Sequence, residues 1–480
     1  MYWNLSMDLK YHKWSKSESK VFFQSCRDHL NLVEPQFYFP IMSLFFYIHN
    51  TPYSHKVMDF KRTHYIKQIL SQTPLKEYMS NTLVQSMIQE NNELKQCLLF
   101  AKAIPLIDPI HYLLNNYSIS HHRNPLLPSN YSFNTLSKIN DMNNMGYIDV
   151  FFSFLASQIT IKDKNPSFPL YYGSCTCLGK YKHDITEDIH ELKHHDGFKQ
   201  MLSYITIDEF EVGSDSESDS ESDSSEYGSS DSSDSSDYIA TFQKFPMIYL
   251  FIQSLEGTLE DIIQQDLSIP LLKSCLFQVT FALLYLQKHY QFTHNDLHIN
   301  NVMFCSTDRP YLYYKYNNQY FKIPTYGKLF KIIDFGRSVF TFRKKTYMND
   351  VFSKYGEAEG QYTHPPQVSF LEMDMSNHVY PSYHFDLCRL AITMIDEIRY
   401  NHDDELEDED EYQDFLDYLK YLVTDKEGQR LDKLDDNFDL YVTISRNANH
   451  CLPRDVIQSS FFKEFRIKKK LFPKKTYYTV

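Results

Sequence analysis

"FTHNDLHINNVMF", Phe292–Phe304, is the stretch on which the fold of this chain turns. Its two ends are apolar, as in a segment that passes between core elements. Its centre, "HNDLHINN", crowds His, Asn and Asp together. Polar groups in such a setting are costly unless they are paired or perform chemistry. Upstream, "SIPLLKSCLFQVTFALLYLQKHY" repeats Leu272, Leu276, Val279, Leu283 and Leu286 at steps of three and four. That spacing predicts a helix, with Ser268 as N-cap and Pro270 in the first turn. Downstream, "YLYYKYNNQYFKIPT" alternates around Asn317-Asn318 and predicts a hairpin. "KLFKIIDFG" then reads as a strand that ends in Asp-Phe-Gly. The opening stretch is therefore a polar loop between a core helix and a core strand.

Further outward, "ELKQCLLFAKAIPLIDP" carries the apolar run Cys97–Ala103, stopped by Pro105, and predicts a buried strand. "MGYIDVFFSFLASQI" is dense enough in apolar residues for a packed helix, and "NPSFPLYYGSCTC" is extended. In "FPMIYLFIQSLEGTLEDII" the run Met247–Ile252 predicts a strand buried on both faces, "SLEGT" ends it, and "LEDII" opens a helix. No internal repeat is visible.

Three pieces now fit one chemistry: a strand lysine in "LLFAKAIPL", the loop "HNDLHINN", and a strand running into "DFG". Phosphoryl transfer from ATP needs a positive charge on the triphosphate, which Lys102 can supply. It needs hard oxygen ligands for a divalent ion such as Mg2+, which Asn301 and Asp334 can supply. It needs a carboxylate to aim the acceptor hydroxyl and accept its proton, and Asp296 suits that task. Catalysis of this kind is mostly positioning and charge stabilisation.

The same residues carry a family resemblance. "HNDLHINN" resembles the protein-kinase catalytic loop H-x-D-L-x-x-x-N, and Asp334-Phe335-Gly336 resembles D-F-G. The resemblance covers roughly Leu98 to Phe465. In "FAKAIPLIDPI", "HNDLHINN", "IIDFGRS" and "YGEAEGQY" it comes closest to the divergent protein kinases of large nucleocytoplasmic DNA viruses. It implies Asp296 as catalytic base, Asn301 and Asp334 as metal ligands, and Lys102 as the third-strand lysine of a small lobe, with His294 and His298 as supporting loop residues. "FIQSLEGTLEDII" looks like a hinge, where backbone groups of Gln253 and Leu255 would meet adenine. Asp386, in "SYHFDLCRL", looks like the buried aspartate that braces the catalytic loop. The implied fold is α+β and two-lobed: a small antiparallel-sheet lobe over about 80–252 and a larger, mainly helical lobe over about 258–466. The implied function is ATP- and Mg2+-dependent transfer to Ser/Thr hydroxyls of a protein substrate.

The departures from that pattern matter as much. No Gly-rich phosphate loop precedes Lys102, since "SNTLVQSMIQENNELKQC" has no Gly. The helix partner of Lys102 is open; Asp149 is the only acid in "MGYIDVFFSF". Asn295 stands where regulated kinases carry Arg, so a phosphate on the segment after D-F-G has no bidentate partner beside Asp296. Arg337, Arg343, Lys344 and Lys345 make that segment itself basic. His298 agrees better with small-molecule phosphotransferases of the aminoglycoside or choline type. The 52 positions between Asp334 and Asp386 leave room for a peptide-binding segment and favour a protein kinase. A pseudokinase scaffold is the remaining alternative; the missing Gly-rich loop favours it, and the retained Lys102, Asp296, Asn301 and Asp334 oppose it.

The net charge of −14 over 480 residues is concentrated in two runs. Ser214–Asp237 holds nine acids interleaved with thirteen Ser, and Asp403–Glu411 holds eight acids. The first cannot bury enough apolar surface to offset its ordering entropy and is expected to be a disordered insert. Its Ser-x-x-acid spacing suits an acid-directed kinase. The basic C-terminal residues 467–480 are expected to be a solvated tail rather than a nucleic-acid arm. Residues 1–79 are expected to form a helical extension. Cys175, Cys177, His183, His190, His194 and His195 in "CTCLGKYKHDITEDIHELKHH" fit no closed zinc spacing, and a polar surface helix is the better reading. Eight Cys without framework spacing, no signal-peptide core and no uninterrupted apolar run of about 18 residues predict an intracellular chain with no membrane span.

Overall fold

The computed structural model describes residues 15–37, 63–76, 79–117, 126–128, 136–211, 236–265, 267–342, 345–354, 356–364, 378–402, 410–435 and 437–480. It is a mixed α+β structure built on an antiparallel sheet. Helix α1, Lys16–Leu30, starts at a reciprocal cap between Ser15 and Glu18 and ends on Asn31 in the left-handed region. Strands β1 (Val33–Gln36), β2 (His64–Pro74), β3 (Thr82–Glu90) and β4 (Glu93–Pro105) follow. Helix α2, Met145–Ile161, is capped by Asn144, whose Oδ1 accepts the Gly146 N–H at 3.0 Å. Strands β5 (Tyr171–Asp184), β6 (Ile205–Glu211) and β7 (Ser236–Gln253) complete the sheet. The order is β1-β5-β7-β4-β3-β2, with β6 also on β7. The apolar run Met247–Ile252 is wholly buried at the C-terminal end of β7, between β4 and β5. Gly146 lets α2 lie close on this sheet, because a Cβ there would come within 2.9 Å of Ile248 Cγ2.

After β7 come helix α3 (Leu259–Gln265) and helix α4 (Ile269–Tyr290). α4 is long and apolar enough to cross a membrane by length and composition, but most of it is buried in the core. The chain then forms β8 (Val302–Ser306), the hairpin β9 (Tyr311–Tyr316) and β10 (Gln319–Pro324), and β11 (Lys328–Ile332), which pairs with β8. A second hairpin joins β12 (Val339–Phe342) to β13 (Lys345–Met348). Helices α5 (Phe385–His402), α6 (Asp410–Leu422) and α7 (Phe438–Asn447) follow, then the short helix Pro453–Val456, and strand β14, Tyr478–Thr479, pairs with β9.

Several expectations need correction. Residues 1–79 are not simply helical: among the described ones, α1 is the helix and β1 and β2 belong to the sheet, which therefore begins well before residue 80. β2 is an edge strand broken by register shifts between Ile66 and Gln68 and between Ile69 and Ser71, which blurs its period of two. The Ile69 N–H instead finds Ser25 Oγ of α1 at 3.0 Å. The tail 467–480 docks rather than floats. Tyr478 is buried and pairs in parallel with Tyr314 of β9, and Phe472 packs on Tyr320 with ring centroids 4.9 Å apart. Its aromatic residues outweigh its lysines, whose heads stay in water. The His-rich stretch after Cys177 continues β5 to Asp184 and then makes only a short helix, Ile189–Leu192, with Ile189 and Leu192 buried. Of the acidic tract, Ser236 and Asp237 start β7 and the rest lies outside the described residues. Asp410 and Glu411 of the second acidic run open α6; residues 403–409 lie outside.

Candidate active site

Lys102 projects from β4 within the stretch Leu99–Pro105 that pairs with β7, where it lies opposite Leu250. Its Nζ meets two carboxylates at 2.8 Å each: Asp149 Oδ2 from α2, and Asp334 Oδ2 from the Asp-Phe-Gly turn. Asp149 is buried, and its other oxygen accepts the Phe335 N–H at 3.1 Å and the Ser153 hydroxyl at 3.2 Å. One carboxylate thus joins strand, helix and turn. Burial works against the Lys102 charge, but Asp149 and then Asp334 outweigh it and hold its pKa above the ordinary value. Burial likewise opposes the Asp334 charge, yet Lys102 brings its pKa down to about 2. Burial raises the pKa of Asp149, with Lys102 opposing. Asp334 has φ 60°, a left-handed conformation that Asp tolerates. Phe335 is fully buried against Phe152 of α2, ring centroids 5.0 Å apart, which seats the turn under the helix.

The polar loop is held from below by Asp386, in the first turn of α5. Its buried carboxylate accepts the N–H groups of His294, at 3.0 and 2.9 Å, and of Asn295, at 2.9 Å. Burial raises its pKa, opposed by His294 and by these two backbone donors. His294 is buried and its Nε2 lies 2.8 Å from the Ile333 carbonyl, which requires the proton on Nε2. Asn301 donates from Nδ2 to the Asp296 carbonyl at 2.8 Å and faces His298 Nε2 at 3.0 Å. Its Oδ1 is left as the group that could meet a cation. His298 has its pKa lowered by burial, with Asp296 opposing.

The structure therefore brings Lys102, Asp149 and Asp334 into one ion-paired cluster, and joins His294, Asp296, His298, Asn301 and Asp386 through one hydrogen-bonded loop. Gln253, of the expected hinge, has one of its backbone groups engaged within the fold. It ends β7, and its N–H donates to the Leu170 carbonyl at 2.8 Å, so that donor is already taken. Leu255 lies just beyond, half-buried, in the link to α3.

Other site contacts carry no sequence signal, even where the residue itself, as with Asn295, stood out. Tyr441, on α7, donates its hydroxyl to Asp296 Oδ1 at 2.9 Å across 145 positions. Asn295, at φ 65°, accepts from the Tyr362 hydroxyl and donates to the Arg337 carbonyl, both at 2.9 Å. Lys331, three residues before Asp334, is buried and donates to the carbonyls of Pro166 at 2.7 Å and Phe168 at 3.0 Å. Burial lowers its pKa to about 8. A lysine in a strand gives no hint that it will be buried; only the sharp turn of chain between α2 and β5 offers it carbonyls.

No family model matches the sequence. Local similarity links the chain to a probable serine/threonine-protein kinase of Dictyostelium discoideum, 42% identical over 79 residues, which is 15% of this chain and 6% of that protein. An uncharacterized protein of invertebrate iridescent virus 6 is 42% identical over 72 residues, 14% of this chain and 12% of its own. A candidate serine/threonine-protein kinase of Acanthamoeba polyphaga mimivirus is 37% identical over 82 residues, 16% of this chain and 21% of its own. The chain thus spans about a fifth or less of each of these relatives, two of which are named as serine/threonine-protein kinases.

Proposed function

We propose that this chain is an ATP- and Mg2+-dependent phosphotransferase of protein kinase-like, two-lobed architecture, acting on Ser/Thr hydroxyls of proteins. The observation that carries this is the sharing of Lys102 Nζ between Asp149 and Asp334, 2.8 Å from each. Such a cluster presents one cation and one half-exposed carboxylate to a triphosphate, while the second carboxylate stays buried as an anchor. Lys102 lies on the third strand of the meander β2-β3-β4, as the resemblance implies. The donor set suits a hard divalent ion: Asp334 and Asn301 would hold Mg2+, which when bound neutralises phosphate charge. Asp296 would aim the acceptor hydroxyl and receive its proton, on a loop held rigid by Asp386. Two names among the local relatives point the same way.

His298 supports a second reading, a small-molecule phosphotransferase, because its ring is spent on Asn301 rather than reaching outward as a lysine would. The test is a melting shift with ATP, with and without Mg2+, followed by radiolabelled ATP turnover on mixed protein and small-molecule acceptors. Asp296→Asn should keep the nucleotide shift and lose turnover. Full turnover by that variant would sink the proposal, and a shift without turnover in the wild type would favour a binding scaffold.

A further inference from the structure

The oxygen of Asp296 that an acceptor would use is decided by a residue far from the loop. Asp296 is half-buried, and its Oδ1 accepts the Tyr441 hydroxyl at 2.9 Å. Of Asp296, Asn301 reaches only the backbone carbonyl, and no hydrogen bond from another described side chain reaches the Asp296 carboxylate. Tyr441 is itself held on several sides. The Arg389 guanidinium lies 4.9 Å from its ring centroid, that of Arg337 5.8 Å, and the Phe385 ring 5.9 Å. The helix that carries it, α7, is tied to the segment after Asp-Phe-Gly, where Arg446 Nη2 donates to the Gly360 carbonyl at 2.7 Å. A neutral phenol on one edge of a carboxylate restrains its rotation without cancelling its charge.

We infer that Tyr441 is a positioning residue: it holds Asp296 Oδ1 and so assigns Oδ2 to the acceptor hydroxyl. The inference rests on the phosphoryl-transfer reading and deepens it. In the step served, the acceptor oxygen bonds to the γ-phosphorus of ATP, the bond from that phosphorus to ADP breaks, and the acceptor proton passes to Asp296 Oδ2. Tyr441 neither gains nor loses a proton. α7 also grips the segment after Asp-Phe-Gly, through Arg446 on the Gly360 carbonyl and Ser445 on the Gln361 carbonyl.

Two measurements test this. Tyr441→Phe removes the hydroxyl and keeps the ring beside the Arg389 and Arg337 guanidiniums. It should lower kcat by about tenfold while leaving KM for ATP within about twofold, the pattern of an interaction that matters for transfer and not for nucleotide binding. A kcat equal to or above that of wild type would overturn the inference, since Tyr441 would then be a bystander or an obstruction. The second measurement needs no activity. Burial first, and then the Asp296 charge, push the Tyr441 phenol up to about 12. With 13Cζ-labelled tyrosine, and the resonance identified by its loss in Tyr441→Phe, Asp296→Asn should make that phenol titrate at lower pH. An unmoved titration overturns the inference whatever the turnover. A wild type that binds ATP, shows the moved titration and transfers nothing would instead refute the phosphoryl-transfer reading, and the role with it.

Discussion

Replacing Asp149 by Ala removes a side chain of the helix that touches both strand and turn. Three hydrogen bonds go: Lys102 Nζ at 2.8 Å, the Phe335 N–H at 3.1 Å and the Ser153 hydroxyl at 3.2 Å. The Phe335 N–H is left buried without its acceptor, a loss of about 1–3 kcal/mol. Lys102 is not stranded, because Asp334 remains at 2.8 Å and its side chain is 21% exposed; about 1–2 kcal/mol is a reasonable figure for its lost bond. Against these stands the relief of a buried carboxylate whose charge burial disfavours. The net expectation is about 2–4 kcal/mol of destabilisation, at or below the ~3–5 of a fully orphaned buried ion. Asp149→Asn keeps an oxygen for the Phe335 N–H and should cost only about half as much. Both variants should lose at least ~100-fold in turnover, since Lys102 would be free to close onto Asp334 alone. Urea unfolding followed by far-UV circular dichroism, beside turnover, gives both quantities. An Ala variant within ~0.5 kcal/mol of wild type, or an Asn variant as unstable as Ala, would refute the assignment of Asp149 as the shared anchor.

Three further outcomes are expected. His384 Nδ1 accepts the Cys451 N–H at 3.1 Å, which only an unprotonated ring can do, and burial lowers its pKa to about 4. Its contribution is full above the unfolded value near 6.5 and fades as pH falls towards 4, by up to roughly 3 kcal/mol; His384→Asn should flatten that slope in pH-dependent urea titrations. Glu211 and Ser236 are register partners at the open end of β6 and β7, so replacing 212–235 by Asn-Gly should close a hairpin and leave the melting temperature within ~2 °C; loss of folding would contradict the insert reading. Asn295 is tied to Tyr362 and Arg337 by neutral hydrogen bonds, so complete dephosphorylation should leave turnover within about threefold, and a hundredfold fall would reveal a phosphate switch.

Local pattern carried much of this protein. The steps of three and four in α4, the six apolar residues of β7, the turn at Asn317-Asn318 and the order of "HNDLHINN" and "DFG" are short-range features, and each element they predict is present. Those features work because backbone propensity and burial of one face act over a few residues. Asp149 stood out as the only acid of its helix's apolar N-terminal half, but only the packing of α2 on the sheet shows it reaching Lys102 and Phe335 together. Other features had no local trace. β2 needed α1 to satisfy a bulged N–H, and the tail needed β9 to pair with. Lys331 needed the Pro166 and Phe168 carbonyls, and Gln253 lost its free donor to Leu170. Tyr441 meets Asp296 across 145 positions. A hydrogen bond or ion pair of this kind depends on where two distant elements come to rest, and no periodicity in either segment encodes the other. The sequence by itself therefore determined the loop, the order of its polar residues and most of the elements that frame it. Tertiary packing alone decided which partners hold each charged group, and so which way the loop's one carboxylate, Asp296, faces.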